Sequence, residues 1–287
     1  MIETDFPALY QDSNTTAIEI QKKFLLATKT VLIASLMIGM APNFLNRDPS
    51  IITQIVCSAV VIGSSSYLLF GKPQKIWYGT RALAESIKTL AWRYSCRAEP
   101  FDGADDTDAT KFEKSVHELL RSNDEAAALR YKSQNTELIT NKMRMVRMSS
   151  LLERRDAYMQ GRLEDQLSWY RKKSKFNNSY SKRWYAGLIL ASTAALVVSL
   201  INLMRVDDLI SVDFLFAIPI AIFSWIQVKR YQELASSYAL TAHEITFIKA
   251  NFVRANAEEL FSRYVADAEN AFSREHTQWY ARKDVGA

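Results

Sequence analysis

Four long runs of apolar residues interrupt an otherwise polar chain, and they come in two pairs. Leu25–Leu45 and Ile51–Phe70 form the first pair, Trp184–Met204 and Ile210–Val228 the second. A helix rising 1.5 Å per residue needs about 20 residues to cross a hydrocarbon core of roughly 30 Å, and each run has about that length. The short connection Asn46–Ser50 contains Asp48-Pro49, a helix breaker. The pattern predicts two transmembrane hairpins, four spans in all, at about 25–45, 51–70, 184–204 and 210–228.

The remaining segments carry a different period. After Gly71-Lys72-Pro73, the residues Ile76, Thr80, Leu83, Ile87, Leu90 and Tyr94 recur at alternating spacings of four and three. That is a heptad-like seam on one helix face. Tyr231, Leu234, Tyr238, Thr241, Ile245, Ile248 and Phe252 repeat it after the fourth run. Lys111–Lys132 reads as one helix through Phe112, Val116, Leu119, Leu120 and Leu129. Leu151–Lys175 reads as another, through Leu152, Tyr158 or Met159, Leu163, Gln166 or Leu167, and Tyr170. A last helical stretch holds Phe261, Tyr264, Val265, Ala268 and Phe272. Pro100 and the acidic run Asp102–Asp108 break the pattern. That run lacks the glycine and terminal glutamate of an EF-hand loop and reads as solvated loop. Residues 1–23 read as a short arm or surface helix.

Strand signals are absent almost everywhere, so the expected fold is an all-α membrane protein. Its two transmembrane hairpins are each followed by long cytoplasmic amphipathic helices. The halves 24–150 and 151–287 look like repeats of low identity, each with one acid on the buried side, Glu85 and Glu244.

Charge adds an orientation. The chain carries 36 Lys and Arg against 31 Asp and Glu, a net +5. The excess lies between the hairpins: Lys72, Lys75 and Arg81 follow the second run, and Arg171, Lys172, Lys173, Lys175, Lys182 and Arg183 precede the third. The turns within the hairpins are poor in base. The positive-inside rule then places both termini and the central linker in the cytoplasm. Base clustered beside spans suits anionic lipid headgroups and gives no reason to expect nucleic acid as a partner. The leader before the first run is acidic to neutral, unlike a cleaved signal peptide. Cys57 and Cys96 give neither a disulfide framework nor a metal spacing.

No catalytic constellation is visible. His117, His243 and His276 sit on separate helices, no glycine-rich phosphate loop exists, and no serine lies in a nucleophile elbow. The expectation is a protein that is not an enzyme and uses no cofactor or metal. The runs themselves hold some polar residues, among them Ser58, Ser65, Ser192 and Asn202. Such groups let helices approach and hydrogen-bond in lipid. Alternatively they line a weakly polar pore in an assembly of copies. Asp213 lies about one turn inside the fourth run, and with Asp207 and Asp208 it would form an outer acidic ring. Because it lies near the outer interface, exposure to headgroup water is the simpler explanation. Pro219 loosens or kinks the same run. Trp77, Arg81, Glu85 and Trp92 occupy adjoining helix faces, and Arg81 and Glu85 at i, i+4 can pair.

These last residues carry a resemblance. Trp77-Tyr78, Arg81-Ala82-Leu83-Ala84-Glu85-Ser86-Ile87-Lys88, Trp92-Arg93-Tyr94 and Glu99-Pro100-Phe101 resemble one branch of the bacterial SLATT domains. The second half is similar to another branch. Its marks are Arg162-Leu163-Glu164-Asp165-Gln166 with Trp169-Tyr170, then Tyr238–Ala242 with Glu244, then Phe261–Val265 and Ser273–Trp279 with Glu275, His276 and Trp279. SLATT domains are two-transmembrane effectors associated with second-messenger nucleotide synthases and nucleotide-sensing domains. The resemblance implies a bacterial antiphage effector of the inner membrane. Such an effector oligomerises and permeabilises or forms a pore when a signalling partner fires. The sequence shows no sensing or synthase motif, so the expected trigger is a separate protein, a ligand that binds the helical part directly, or a phage event. The competing reading is a membrane-anchored scaffold or tether whose heptad seams bind a partner. Either reading expects membrane lipid and further copies of the chain as partners.

Overall fold

The computed structural model describes residues 1–129, 137–204 and 213–284, and of residues 127, 213 and 274–284 the backbone alone. Among the described residues the regular structure is all helical. The helices are α1 (Ala8–Phe44), α2 (Arg47–Gly71), α3 (Pro73–Ser95), α4 (Asp105–Arg121), α5 (Asn141–Met148), α6 (Leu151–Tyr158), α7 (Asp165–Met204), α8 (Asp213–Lys229), α9 (Tyr231–Asn251) and α10 (Glu258–Asp284). A π-helical stretch, Met159–Glu164, joins α6 to α7.

Among the described residues, three helical stretches are long and apolar enough to cross a membrane: Ala8–Phe44, Arg47–Gly71 and Leu151–Met204. They contain the first three expected runs. The fourth run, 210–228, begins outside the described residues, as do Asp207 and Asp208. Its described part, α8, has 17 residues with Pro219 inside.

The chain divides into two compact units, and each draws on both halves of the sequence. One unit holds Met1–Gln21, Gln74–Arg171 and Leu240–Ala287; the other holds Lys22–Pro73 and Lys172–Ala239.

The first, a polar unit, has a mixed core. Trp92 sits at its centre, edge-on to Phe6 at 6.3 Å and to Tyr158 at 5.7 Å. Tyr158 in turn meets Phe261 at 6.3 Å. The predicted α3 seam is buried at Thr80, Leu83, Ile87 and Tyr94, but Ala84, Glu85, Thr89, Ala91 and Trp92 are buried too. Helix α3 is thus enclosed on more than one face. Segments distant in sequence pack around the seam and beyond it, Phe6 and Tyr158 against Trp92 among them. Of the later seam, Thr241, Ile245 and Phe252 are buried in this unit and Tyr231 in the other, and α10 buries Phe261, Val265, Ala268 and Phe272. Among the paired options in Leu151–Lys175, Tyr158 and Leu167 are the buried ones.

Four expectations are corrected. The N-terminal segment is no surface arm: Phe6, Tyr10, Ser13 and Asn14 are buried, and α1 starts at Ala8. The acidic run is a solvated loop only in part: residues 102–107 are exposed, but helix α4 begins at Asp105 and Asp108 is buried. Asp105, Asp106 and Asp108 form the first turn of α4, where carboxylates face the partial positive charge of the helix N-terminus. Asp108 is fully buried against Arg147, whose guanidinium also donates to the carbonyls of Tyr94 and Phe101 at 2.8 Å each. Asp105 accepts from Arg147 Nε at 2.8 Å, which holds its carboxyl below the usual aspartate range. The helix expected over Lys111–Lys132 spans Asp105–Arg121 instead. Finally, Glu244 is exposed, so the buried acid of the first half has no counterpart there.

The second, an apolar unit, has a thin core of Phe24, Ala34, Ala41, Cys57, Ala195, Trp225 and Ile226. Trp184 and Trp225 pack at 6.4 Å, and Tyr180 and Tyr231 at 5.9 Å. Its long helices leave most of their apolar side chains uncovered. Ile52, Ile55, Ile62, Leu69 and Phe70 on α2 and Ile189, Leu190, Leu196, Leu203 and Met204 on α7 are exposed. Contiguous apolar surface on this scale marks contact with lipid or another protein.

Candidate functional site

The polar unit encloses a cavity of about 380 Å³. Three segments build it. The N-terminal segment gives Glu3, Phe6 and Tyr10; α3 gives Arg81, Glu85 and Lys88. The π-helical stretch and the start of α7 give Gly161, Asp165, Gln166, Trp169 and Tyr170. On α3, positions 81, 85 and 88 follow a spacing of four and three, so the helix itself aligns the three charged side chains along one stripe. A π-helical turn inserts one extra residue and shifts the faces of the residues that follow, and such turns recur at functional sites.

Gly161 is required here for its size. A Cβ at this position would meet the Trp92 ring and the backbone of Met1, each at 3.1 Å. The absent side chain lets the π-helical stretch lie against the central tryptophan.

The charges in the lining are arranged unequally. Arg81 pairs with Glu85 at 2.5 Å and donates to Asn14 Oδ1 at 2.7 Å. Lys88 lies over the rings of Phe6 and Tyr10, 5.5 and 6.0 Å from their centroids. Burial, and next the charge of Arg162, push the Lys88 ammonium below its ordinary pKa. Burial likewise raises the pKa of Tyr10, with Glu85 adding to it. Glu3 and Asp165 are exposed.

Close to this cavity lies a buried ion pair. Arg162 donates Nε to Glu269 Oε1 at 2.8 Å and Nη2 to Oε2 at 2.7 Å. Tyr158 and Thr89 donate their hydroxyls to the same carboxylate at 3.0 and 2.9 Å. Burial alone would lower the Arg162 pKa, but the charge and hydrogen bonds of Glu269 outweigh it and raise it. The guanidinium stacks 4.8 Å from the Phe272 ring.

The family-motif residues of the sequence fall unevenly on this picture. Arg81, Glu85, Gln166 and Trp169 line the cavity, and Trp92 stands behind Gly161. Trp77 stacks on Tyr78 at 4.4 Å and is not among the lining residues. Glu244 is exposed. The side chains of Glu275, His276 and Trp279 lie outside the described ones. Phe6, Tyr10, Lys88 and Asp165 had not been singled out as site residues. Lys88 was detectable as a cation on the α3 stripe, but Phe6 and Tyr10 carried no signal in an arm read as surface.

The candidate pore residues belong to the apolar unit and are not among the cavity's lining residues. Ser65 and Ser192 are exposed, Ser58 and Asn202 half-buried, and the side chain of Asp213 lies outside the described ones. Among the described residues no group of His, Cys, Asp and Glu is placed to hold a metal ion.

Among the described residues the chain is all helical, with one unit of long, uncovered apolar helices and one unit with a polar core, the make-up of a membrane protein. Comparison with known families specifies it further. Residues 7–155 match the SMODS and SLOG-associating 2TM effector domain 3, and residues 158–279 match the SMODS and SLOG-associating 2TM effector domain 1. The chain belongs to the SLATT family and carries two SLATT domains of different types in tandem. No curated protein and no solved structure matches it. The family and the apolar helices together indicate a membrane location. Both compact units take residues from both matched domains, so neither domain corresponds to a unit by itself.

Proposed function

We propose that this chain is a bacterial antiphage-type membrane effector: it self-associates and opens a conducting path through the inner membrane when a nucleotide-signalling or sensor partner triggers it. The apolar unit carries this reading. A single chain leaves the apolar sides of α2 and α7 uncovered, and a folded protein has no use for such a surface in water. Lipid covers one part of it and further copies the rest. Ser58, Ser65, Ser192, Asn202 and Asp213 are the residues that would face a water-filled path between copies. Both termini and the central linker lie in the cytoplasm in this arrangement, a reading supported by the basic residues beside the spans. The chain works without catalysing a reaction.

Leakage from liposomes tests the reading. Purified protein reconstituted into dye-loaded vesicles releases dye, either alone or with its partner, and Ser58→Leu, Ser65→Leu and Asn202→Leu together abolish release. Vesicles that stay tight with every partner supplied would instead favour the tether, with α3 and α9 as binding surfaces.

A further inference from the structure

We propose that the cavity beside Lys88 binds a small planar molecule carrying one anionic group, a carboxylate or a monophosphate. This inference stands apart from the pore reading, because it concerns the polar unit alone. Size and walls come first. About 380 Å³ falls within the range of small-molecule sites, and Phe6, Tyr10, Trp169 and Tyr170 supply aromatic walls. The charge arrangement comes second. Arg81 is already committed to Glu85 and Asn14. Among the described residues Lys88 has neither an ion pair nor a hydrogen-bond partner; only the two rings lie beneath its ammonium. A desolvated cation over aromatic faces, at the edge of a cavity, is prepared to donate a charge-assisted hydrogen bond to an anionic oxygen. Third, exposed Glu3 and Asp165 also line the cavity, and they repel any second anionic group.

The fold gives up stability to keep this arrangement. Burial and Arg162 both disfavour the charged lysine, and an apolar side chain of similar length would sit there at lower cost. Groups held against their ordinary ionisation in a concavity are candidates for function. A bound ligand would touch the N-terminal segment, α3 and the start of α7 together. Its occupancy would therefore stabilise the polar unit as a whole.

Calorimetry on the full-length protein in detergent micelles tests this with three probes that share one ring: 1-naphthoate, 1-naphthyl phosphate and neutral 1-naphthol. At least one anion binds saturably, and 1-naphthol binds at least about tenfold more weakly. Preference for naphthoate assigns a carboxylate, and preference for the phosphate ester assigns a monophosphate. Lys88→Met weakens the preferred anion roughly tenfold to a hundredfold, while Lys88→Arg retains most of the affinity. Trp169→Ala weakens all three probes, and a thermal melt confirms that each variant is folded. No binding of either anion to the folded protein overturns the proposal, as does affinity that Lys88→Met leaves unchanged. Naphthol binding as well as the anions also overturns it.

Discussion

Removing the Glu269 carboxylate should destabilise the polar unit more than any apolar truncation of similar size. Glu269 and Arg162 are 0% and 1% exposed, and they share two charge-assisted hydrogen bonds. Tyr158 and Thr89 complete four bonds onto one carboxylate. Glu269→Ala leaves a guanidinium buried without its counter-charge. Arg162 Nη1 already has no hydrogen-bond partner, so the group has little capacity to find another. Breaking a buried pair from one side costs about 3–5 kcal/mol. The two hydroxyls lose an acceptor as well, a loss that overlaps with the first and does not simply add to it. At roughly 2–4 °C per kcal/mol for a domain of this size, the melting temperature of the unit falls by about 6–20 °C. Near-ultraviolet circular dichroism is a suitable probe, since Trp92 packs 5.7 Å from Tyr158 beside the pair. Scan rates must match, because unfolding of such proteins is often irreversible. Glu269→Gln, which keeps the shape and removes the charge, falls close to the alanine variant. The double variant Arg162→Met, Glu269→Leu recovers most of the loss, since no buried charge remains. A Glu269→Ala melt within about 2 °C of wild type would refute the reasoning, as would a double variant less stable than the single.

Lys88→Met should raise the melting temperature at pH 7. The folded-state pKa of Lys88 lies below the ordinary lysine value of 10.5, so the wild type carries the full cost of the charge at lower pH. That cost disappears as pH rises through the folded pKa toward 10.5, and the advantage of the variant shrinks as the solution becomes alkaline. Asp108→Ala strips the fully buried carboxylate from Arg147. Because Asp105 and two carbonyls still hold the guanidinium, the loss is smaller than for Glu269, about 2–3 kcal/mol, read from a denaturant midpoint. Protease cleavage near Gly103 should accelerate in the same variant. Gly79→Ala places a Cβ 2.4–2.8 Å from the buried Glu125 side chain, which pairs with Lys75 at 3.1 Å. Overpacking of this kind costs about 1–3 kcal/mol, less the gain in helix propensity, and Lys75→Met should leave that cost largely in place.

The sequence by itself determined the class of the protein. Apolar runs long enough to cross a bilayer announce three of the long helices, because length and the need to pair backbone groups in lipid leave few other solutions. The 3-4 spacings located α3, α9 and α10, and the i, i+4 spacing of Arg81 and Glu85 located their ion pair. These are local relations, and a chain read in order displays them.

Tertiary structure alone decided which polar residues matter. Glu269 lies 107 residues from Arg162, and neither position carries a mark of its partner. The acidic run looked solvated because burying a carboxylate requires a cation close by. Arg147, which supplies it to Asp108, comes 39 residues later. Phe6 and Tyr10 looked like part of an arm, yet they form the wall of a cavity whose other walls are α3 and the start of α7. The interleaving of the two units, each assembled from both halves of the chain, is equally invisible to periodicity. Hydrophobic patterning reports how a segment divides between buried and exposed faces. It does not report which distant segment covers the buried face, and that pairing alone places a lone lysine beside an aromatic cavity.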